Sequence, residues 1–181
     1  EKILALELGG NNPLVVWPPR DLTAAAVLVV QSAYRTAGQR CTCARRLIVR
    51  DGEHAELLAE IEKIVNRIII DHPHASPQPF MGPLIDNEAA EGVMEAFLAL
   101  MMKGGRPERH MSRPDPDKPF LTPAIIDVTG VTNRPDVEYF GPLLQLIRVL
   151  DFESAIAEAN ATRFGLAAGL ISRNPALYDR F

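Results

Sequence analysis

Two cysteines, Cys41 and Cys43, lie in a short polar segment, residues 38–43 (GQRCTC), that follows a long apolar stretch. Cys41 comes directly after Arg40, whose positive charge favours the thiolate form that makes a cysteine nucleophilic. Free cysteines are also often buried, so a small core residue is the alternative interpretation. The spacing by itself therefore leaves both a nucleophile and a core residue open for Cys41.

Two glutamates next to glycine-containing turns are candidates for acid–base chemistry. Glu7 lies near the end of the apolar run of residues 3–8, before Gly9 and Gly10, and Glu138 precedes two aromatic residues and a Gly-Pro turn. A carboxylate that an apolar segment desolvates has a raised pKa and can act as a general base. A solvated carboxylate at a strand end is the alternative for both, and the residues alone do not decide.

The four histidines do not predict a metal site. His72 and His74 flank a proline in a loop, and no cysteine or carboxylate pattern joins them to make the three or four ligands that a metal needs. The pair Cys41 and Cys43 lacks a second ligand set in the same way. Neither glycine-rich phosphate-binding pattern, GxGxxG or GxxxxGK followed by Ser or Thr, occurs in the sequence.

The composition of the 181 residues excludes several classes of protein. Hydrophobic residues make up 47% and charged residues 23%, so the chain can bury a core and cover it. No apolar run reaches the roughly 18 residues of a membrane span. The net charge of −4 argues against nucleic-acid binding, which usually needs a basic face. Two cysteines make no disulfide framework, which favours a reducing, cytoplasmic location.

Strand and helix patterns alternate along the chain. Short apolar runs between turn residues predict strands at 3–8, 13–17, 45–50, 124–128, 143–150 and 165–172. Helical spacing and capping residues predict helices at 22–34, 53–70, 87–102 and 152–161, and a further helix start near Pro175. Residues 71–83 are expected to form a loop that contains proline and histidine, and residues 106–119 an exposed connection. The alternation favours an α/β fold with a largely parallel sheet flanked by helices.

Four ordered motifs resemble the aldehyde dehydrogenase superfamily. Residues 6–13 (LELGGNNP) are similar to its glutamate motif and residues 38–41 to its cysteine motif, and the cysteine comes 34 positions after the glutamate. Residues 138–143 (EYFGPL) are similar to a downstream motif that begins 97 residues after the cysteine. Residues 160–169 match the next block, although Phe164 stands where tyrosine is common. The resemblance covers essentially the whole chain.

This resemblance implies a chemical role for each candidate residue. Cys41 would attack an aldehyde carbon, oxidation by NAD, or by NADP, would leave a thioester, and Glu7 would activate the water that hydrolyses it. The backbone N–H of Cys41, together with an asparagine earlier in the family's sequence, would hold the oxyanion. Glu138 would hold the nicotinamide ribose, and Phe140 would pack near the ring.

Four further residues complete the expected site. Leu8 and Gly9 are expected beside the cofactor, and Tyr34 and Arg40 beside the substrate. Arg40 adjoins the nucleophile, and an arginine can bind a substrate carboxylate through two hydrogen bonds. An arginine that lies on the surface or packs against a helix is the alternative for Arg40.

A narrower resemblance concerns the substrate. Residues 7–14, 31–34, 36–47 and 78–85 are similar to the branch of the superfamily that oxidises N-succinylglutamate 5-semialdehyde in bacterial arginine breakdown. Another semialdehyde, an aliphatic aldehyde, or an inactive domain that only binds partners are the alternatives. A CoA-acylating enzyme is disfavoured, because enzymes of that kind usually lack the glutamate that Glu7 supplies.

The resemblance also implies how much of the family's catalytic unit is present. In the family, the dinucleotide-binding sheet precedes the glutamate motif, and the last substrate-loop and oligomerisation segments follow the point where this sequence stops. Residues 1–181 are therefore expected to be a partial catalytic domain of a homo-oligomeric enzyme that acts on a small aldehyde without contacting nucleic acid or membranes. We expect this chain alone to bind no cofactor and to be inactive.

Overall fold

The computed structural model describes residues 3–4 and 8–181. Its strands are β1 (Asn12–Trp17), β2 (Ala44–Arg50), β3 (Arg106–Arg109), β4 (Ala124–Asp127), β5 (Leu143–Val149) and β6 (Gly169–Ser172). Its helices are α1 (Leu22–Tyr34), α2 (His54–Val65), α3 (Asn87–Met102), α4 (Phe152–Asn160) and α5 (Ala176–Arg180). The strands form one sheet in the order β3-β4-β5-β2-β1-β6, in which only the β3–β4 pair is antiparallel. The predicted α/β fold with a largely parallel sheet is confirmed.

Capping and periodicity explain why the helices form where they do. Asp21 accepts a hydrogen bond from the Ala24 N–H at the start of α1, and Asp86 accepts one from the Ala89 N–H at the start of α3. Both helices have the bounds that the sequence predicts. Helix α2 buries Leu57, Ile61 and Val65, which lie four residues apart on one face.

Three predicted elements differ from the structure. The helix predicted at 53–70 ends at Val65, because Ile69 and Ile70 instead pair with Phe80 and Met81 through backbone hydrogen bonds and a parallel bridge. Residues 106–119 were expected to be a connection throughout, but residues 106–109 form an antiparallel edge strand, where a proline is tolerated. Strand β6 begins only at Gly169. The strand predicted at 3–8 lies largely outside the described residues.

The two faces of the sheet are covered by different helices. Adjacent strand residues point to opposite faces, so Arg45 and Arg46 of β2 mark one face each. Arg46 donates hydrogen bonds to the Glu158 and Ala159 carbonyls of α4, which places α4 on its face. Arg45 donates to the carbonyl of Gly38, in the turn after α1, on the opposite face. None of the helices in the described part is long and apolar enough to cross a membrane.

The parallel strands determine where the candidate site lies. Four segments, residues 8–11, 38–43, 138–142 and 164–168, come immediately before β1, β2, β5 and β6. Because parallel strands begin at the same edge of a sheet, these four segments meet there. We call this edge, as formed by the four segments, the amino edge.

Candidate active site

A cavity of about 470 Å³ lies at the amino edge. Its walls come from three segments that are far apart in sequence, and they are formed by Leu8, Gly9, Gln39, Arg40, Cys41, Thr42, Glu138 and Phe140. The structure therefore brings together Cys41, Arg40, Leu8, Gly9, Glu138 and Phe140, which the sequence predicts to share one site. Glu7, the predicted base, lies outside the described residues, directly before Leu8 in the chain.

Tyr34 does not belong to this cavity. Its side chain is fully buried, and its hydroxyl donates a hydrogen bond to the Ala124 carbonyl at 3.0 Å. Burial raises the pKa of the Tyr34 phenol. The prediction that Tyr34 contacts the substrate is therefore wrong for the side chain as it lies here, since no part of it reaches solvent. It ties the end of α1 to β4 instead.

A left-handed turn carries the chain from α1 to Cys41. Residues 35–38 form this turn, and Thr36, Ala37 and Gly38 have φ values of 57°, 53° and 71°. A non-glycine residue in this conformation costs on the order of 1–3 kcal/mol, so surrounding contacts must hold the turn. A Cβ at Gly38 would collide with the Gly141 carbonyl, so only glycine allows residues 38 and 141 to approach so closely. The turn leaves Cys41 partly exposed at the cavity.

Asn12 holds the backbone on which Cys41 lies. Its side-chain nitrogen donates to the carbonyl oxygens of Cys41, at 2.6 Å, and Cys43, at 2.8 Å. Its side-chain oxygen accepts from the Ala167 N–H at 3.1 Å. The sequence indicated Asn12 only as part of a turn and a motif. The available signal was a polar residue at the entrance of a buried strand, where its side chain needs hydrogen-bond partners.

Gln39 joins the cysteine segment to a distant loop. Its side-chain nitrogen donates to the Pro83 carbonyl at 3.1 Å, and its side-chain oxygen accepts from the Ile85 N–H at 3.0 Å. The cavity wall beside Cys41 is thus held by side-chain hydrogen bonds on two sides, from Asn12 and through Gln39. Cys43, by contrast, is buried, so the two cysteines have different environments.

Glu138 lies in a narrow space between two other segments. Its side chain is 17% exposed, and one carboxylate oxygen is 3.3 Å from Nη2 of Arg45. The other oxygen lies so close to Gly9 that a Cβ there would collide with it. Gly9 can lie this close to Glu138 because it has no side chain. A carboxylate held in this way has a defined orientation at the cavity.

Arg45 connects the parts of this site, a role that was not predicted from the sequence. It is 1% exposed and donates to the carbonyls of Gly38, at 2.6 Å, and Arg40, at 3.0 Å, as well as to Glu138. Burial lowers the pKa of Arg45, against the effect of the Cys43, Glu138 and Cys41 side chains, but a guanidinium stays protonated in proteins. The signal was its place in phase with Leu47 and Val49, on a buried face of β2.

The cavity offers three kinds of contact to a ligand. The Cys41 thiol is a candidate nucleophile, the Glu138 carboxylate can accept hydrogen bonds from hydroxyl groups, and Phe140, 44% exposed, presents an aromatic face. Arg40 is exposed beside them. Glu138 and Phe140 together fit a nucleoside with a sugar diol and a flat ring. Among the described residues, no group of three or more His, Cys, Asp or Glu side chains converges as metal ligands do.

Known proteins similar to this chain were found by sequence and by structure. The N-succinylglutamate 5-semialdehyde dehydrogenase of Sphingopyxis alaskensis is 62% identical over 180 residues, which cover 99% of this chain and 37% of that protein. The structure resembles an NADP-dependent enzyme of E. coli, with a TM-score of 0.87 and 33% identity over 96% of this chain and 36% of the other.

A second solved structure, 1-pyrroline-5-carboxylate dehydrogenase from Thermus with bound NAD, has a TM-score of 0.85 and 30% identity, and the match covers 95% of this chain and 33% of that one. The chain thus spans little more than a third of the length of these relatives. The aldehyde dehydrogenase family matches the sequence over residues 1–181. With a match over its whole length, this chain belongs to the aldehyde dehydrogenase family.

Proposed function

We propose that this chain takes part in the oxidation of an aldehyde to a carboxylic acid by a nicotinamide dinucleotide, through a thioester on Cys41. The observation that carries the proposal is the cavity, in which Cys41 lies with Glu138 and Phe140, nearly one hundred residues later in the chain. These are the residues to which the resemblance assigns the nucleophile, the ribose contact and the ring contact. The motifs that carry this resemblance are short stretches of sequence, so the convergence of the three residues in space is independent support.

Each step assigns a task to a residue of this chain. The Cys41 thiolate attacks the aldehyde carbon, and its backbone N–H supports the oxyanion of the resulting thiohemiacetal. A bound nicotinamide dinucleotide would supply the oxidant that converts the thiohemiacetal to a thioester. Glu138 would accept hydrogen bonds from the cofactor's ribose, while Leu8, Gly9 and Phe140 line its position. Glu7 then takes a proton from water, and the hydroxide formed attacks the thioester carbon, which breaks the carbon–sulfur bond and releases the acid and the Cys41 thiolate.

The substrate we propose is N-succinylglutamate 5-semialdehyde, with N-succinylglutamate as the product. The support is the 62% identity with the Sphingopyxis alaskensis protein of that name. Arg40, exposed at the cavity, supplies a cation for one of the carboxylates of this substrate. Another semialdehyde or an aliphatic aldehyde is the alternative substrate. We propose NAD as the cofactor, with NADP as the alternative, because structurally similar proteins include both an NADP-dependent enzyme and one with bound NAD.

We propose that the complete enzyme is a homo-oligomer that acts in the cytoplasm, in the breakdown of arginine. In that setting the chain's partner is a small aldehyde. A domain without activity is the competing interpretation, and the two differ in whether Cys41 is acylated during a reaction.

The decisive experiment compares the two cysteines in the complete protein. We expect NADH formation from the semialdehyde to disappear in Cys41→Ala, because the reaction then lacks its nucleophile. In Cys43→Ala the rate should stay within about twofold of wild type, because this change only shortens a buried side chain. Absorbance at the nicotinamide band measures the rate. Wild-type protein with no aldehyde-dependent signal with either cofactor, or equal losses in both variants, would contradict the proposed function.

A further inference from the structure

The Arg45 guanidinium joins two segments that the sequence separates by more than ninety residues. On the nucleophile side it donates to the carbonyl of Gly38, the last residue of the left-handed turn, and to the carbonyl of Arg40, the residue before Cys41. On the other side it contacts the Glu138 carboxylate, lies 3.4 Å from the Gly141 carbonyl oxygen, and stacks 5.3 Å from the Phe140 ring centre. One rigid planar group thus contacts both walls of the cavity.

Arg46 is a natural comparison because it is the next residue and is equally buried. Its guanidinium donates to the carbonyls of Asn11, Glu158 and Ala159, so it too satisfies backbone acceptors on its face of the sheet. In the described part of the chain, Arg46 makes none of the contacts with residues 38–41 or 138–141 that Arg45 makes. A buried arginine is therefore not sufficient to connect the two walls; the position of its acceptors decides.

The arrangement carries a cost that packing alone does not explain. Arg45 Nε has no hydrogen-bond partner among the described residues, and desolvating a charged group is expensive even when it is paired. Its two terminal nitrogens, Nη1 and Nη2, donate to acceptors on both walls of the cavity. A lysine has a single ammonium group and cannot hold the same set of acceptors. The geometry thus requires the fork of an arginine at residue 45.

We propose that Arg45 is a positioning residue that sets where Cys41 lies relative to the Glu138 carboxylate. It fixes the carbonyls next to the nucleophile and the carboxylate on the opposite wall with the same guanidinium, so a displacement of one wall is transmitted to the other. The part of this inference that concerns cofactor orientation rests on the proposed function. The mechanical part, a coupling between residues 38–41 and 138–141, does not.

The mechanical part is tested by amide hydrogen exchange on the complete protein without ligand. We expect Arg45→Lys to speed exchange in residues 38–43 and 138–142 together by about tenfold, because both segments lose hydrogen bonds from residue 45 and therefore open more often. The matched control, Arg46→Lys, should speed exchange near residues 158–161 and leave the two cavity segments unchanged. Faster exchange in only one cavity segment, or the same pattern in both variants, would overturn the proposal.

The cofactor part is tested by a double-mutant cycle with Glu138→Gln. We expect Arg45→Lys to weaken NAD binding about tenfold and to lower kcat about a hundredfold, the scale of a small misplacement at a reacting centre. In the Glu138→Gln background, Arg45→Lys should change NAD affinity by less than about twofold while kcat still falls, since one wall has already lost its contact. Fully additive effects on NAD affinity would show that Arg45 does not act through Glu138.

The two proposals fail in distinguishable ways. Wild-type protein that neither binds nicotinamide dinucleotide nor oxidises aldehydes would overturn the proposed function, while the exchange experiment would still decide whether Arg45 couples the two walls. Active wild-type protein with unchanged exchange and unchanged kcat in Arg45→Lys would overturn the role of Arg45 alone. The thermal stability of both variants should be measured as well. If Arg45→Lys and Arg46→Lys lower it by similar amounts, a general loss of packing does not explain a difference between them in hydrogen exchange or kcat.

Discussion

The two edges of the same sheet are built differently. At the amino edge, Arg45 and Arg46 are almost fully buried and donate to backbone carbonyls, and a turn with three left-handed residues leads to the segment that lines the cavity. At the carboxyl edge, formed by residues 18–21, 51–53, 128–130 and 150–151, Arg148 instead pairs with half-exposed Asp51, at 2.7 Å, and with buried Asp127, at 3.0 Å. The polar groups at the amino edge hold the segments that line a cavity, whereas those at the carboxyl edge pair with one another.

The carboxyl edge is where ligands usually bind in open parallel α/β sheets, often at free helix N-termini. In this chain two of the helices that start there, α1 and α4, are already capped by an aspartate. Asp21 accepts from the Ala24 N–H of α1, and Asp151 accepts from the Ser154 N–H of α4. At these two helices a carboxylate of the chain itself thus occupies the place that a ligand's anion would take. The comparison predicts that activity responds to mutation at the amino edge and not at the carboxyl edge.

The largest effect should come from Glu7→Gln, next to the cavity-lining Leu8. Removing the base while preserving shape should lower kcat by roughly 10²–10⁴-fold. Because oxidation precedes hydrolysis, a burst of about one NADH per site should survive, followed by slow turnover with an acyl group on Cys41. Stopped-flow absorbance and mass spectrometry of the Cys41 peptide measure both.

The carboxyl-edge control for Glu7→Gln is Glu53→Gln, whose residue forms an exposed ion pair with Arg50 at 3.0 Å. Its kcat should stay unchanged. If Glu7 mainly deprotonates Cys41, the burst itself will slow with the steady state and no acylated Cys41 will accumulate, which would refute the assignment to hydrolysis.

Two glycines with positive φ sharpen the comparison through stability. Gly38, at φ 71°, would place a Cβ against the Gly141 carbonyl, whereas Gly52, at φ 84° on the carboxyl edge, has open space around it. Gly52→Ala should cost about 1 kcal/mol for the left-handed conformation alone. Gly38→Ala should cost about 3 kcal/mol or more, because backbone must also move. Urea unfolding of both variants measures the difference, and equal costs would show that the contact with Gly141 is not constraining.

Arg40 tests whether the exposed cation at the amino edge selects the substrate. Arg40→Ala should lower kcat/KM for the succinylated semialdehyde by a factor equivalent to about 2 kcal/mol, which is the strength of a hydrogen bond to a charged group. It should barely change kcat/KM for propanal. Arg20→Ala, at the carboxyl edge, is the matched exposed control and should change neither. Equal losses on both aldehydes would refute a specificity role for Arg40.

The smallest expected effect concerns pH and the carboxyl-edge network. Burial raises the pKa of Asp127, but hydrogen bonds from Thr129 and the contact with Arg148 outweigh it and hold that pKa below its ordinary value. A lowered folded-state pKa adds stability above the unfolded value of about 3.9, and this stability is lost as pH falls through the folded value. Asp127→Asn should therefore cost about 1 kcal/mol at pH 7, the scale of a charged hydrogen bond with partial solvent access.

The same variant should be no less stable than wild type in strong acid, where Asp127 of the wild type is itself protonated. Chemical denaturation at both pH values measures the two differences. A constant difference across pH would show that packing, rather than charge, explains the effect of Asp127→Asn. Cofactor affinity should not respond to this variant at all, since the network lies at the edge opposite the cavity.

Local patterns explain which parts of the fold could be predicted. Helices α1 and α3 were predicted with their observed bounds because a capping aspartate and helical spacing are properties of neighbouring residues. Strand β3 was not predicted, because its pairing with β4 depends on sheet order and its composition is polar. The helix predicted through residue 70 ended early for a similar reason, since Ile70 pairs with Met81.

The residues of the candidate site divide in the same way. Cys41, Glu7 and Glu138 could be singled out because their motifs are short and contiguous, and those motifs also carried the family, which the comparisons show. Tyr34 was misplaced because a helix pattern does not reveal which partner covers its last turn. The catalytic roles themselves stay predictions.

By itself, the sequence determined most of the element types, the α/β class, the family and the candidates for nucleophile and base, all of which depend on local patterns and short motifs. Only the tertiary structure decided that Asn12 and Arg45 hold the nucleophile segment, that Glu138 meets Gly9, and that the cavity lies at the amino edge. The physical reason is that a hydrogen bond depends on where its acceptor lies in space. The acceptors of Asn12 lie about thirty residues away, and Arg45 meets Glu138 93 residues on, so strand order brings them together.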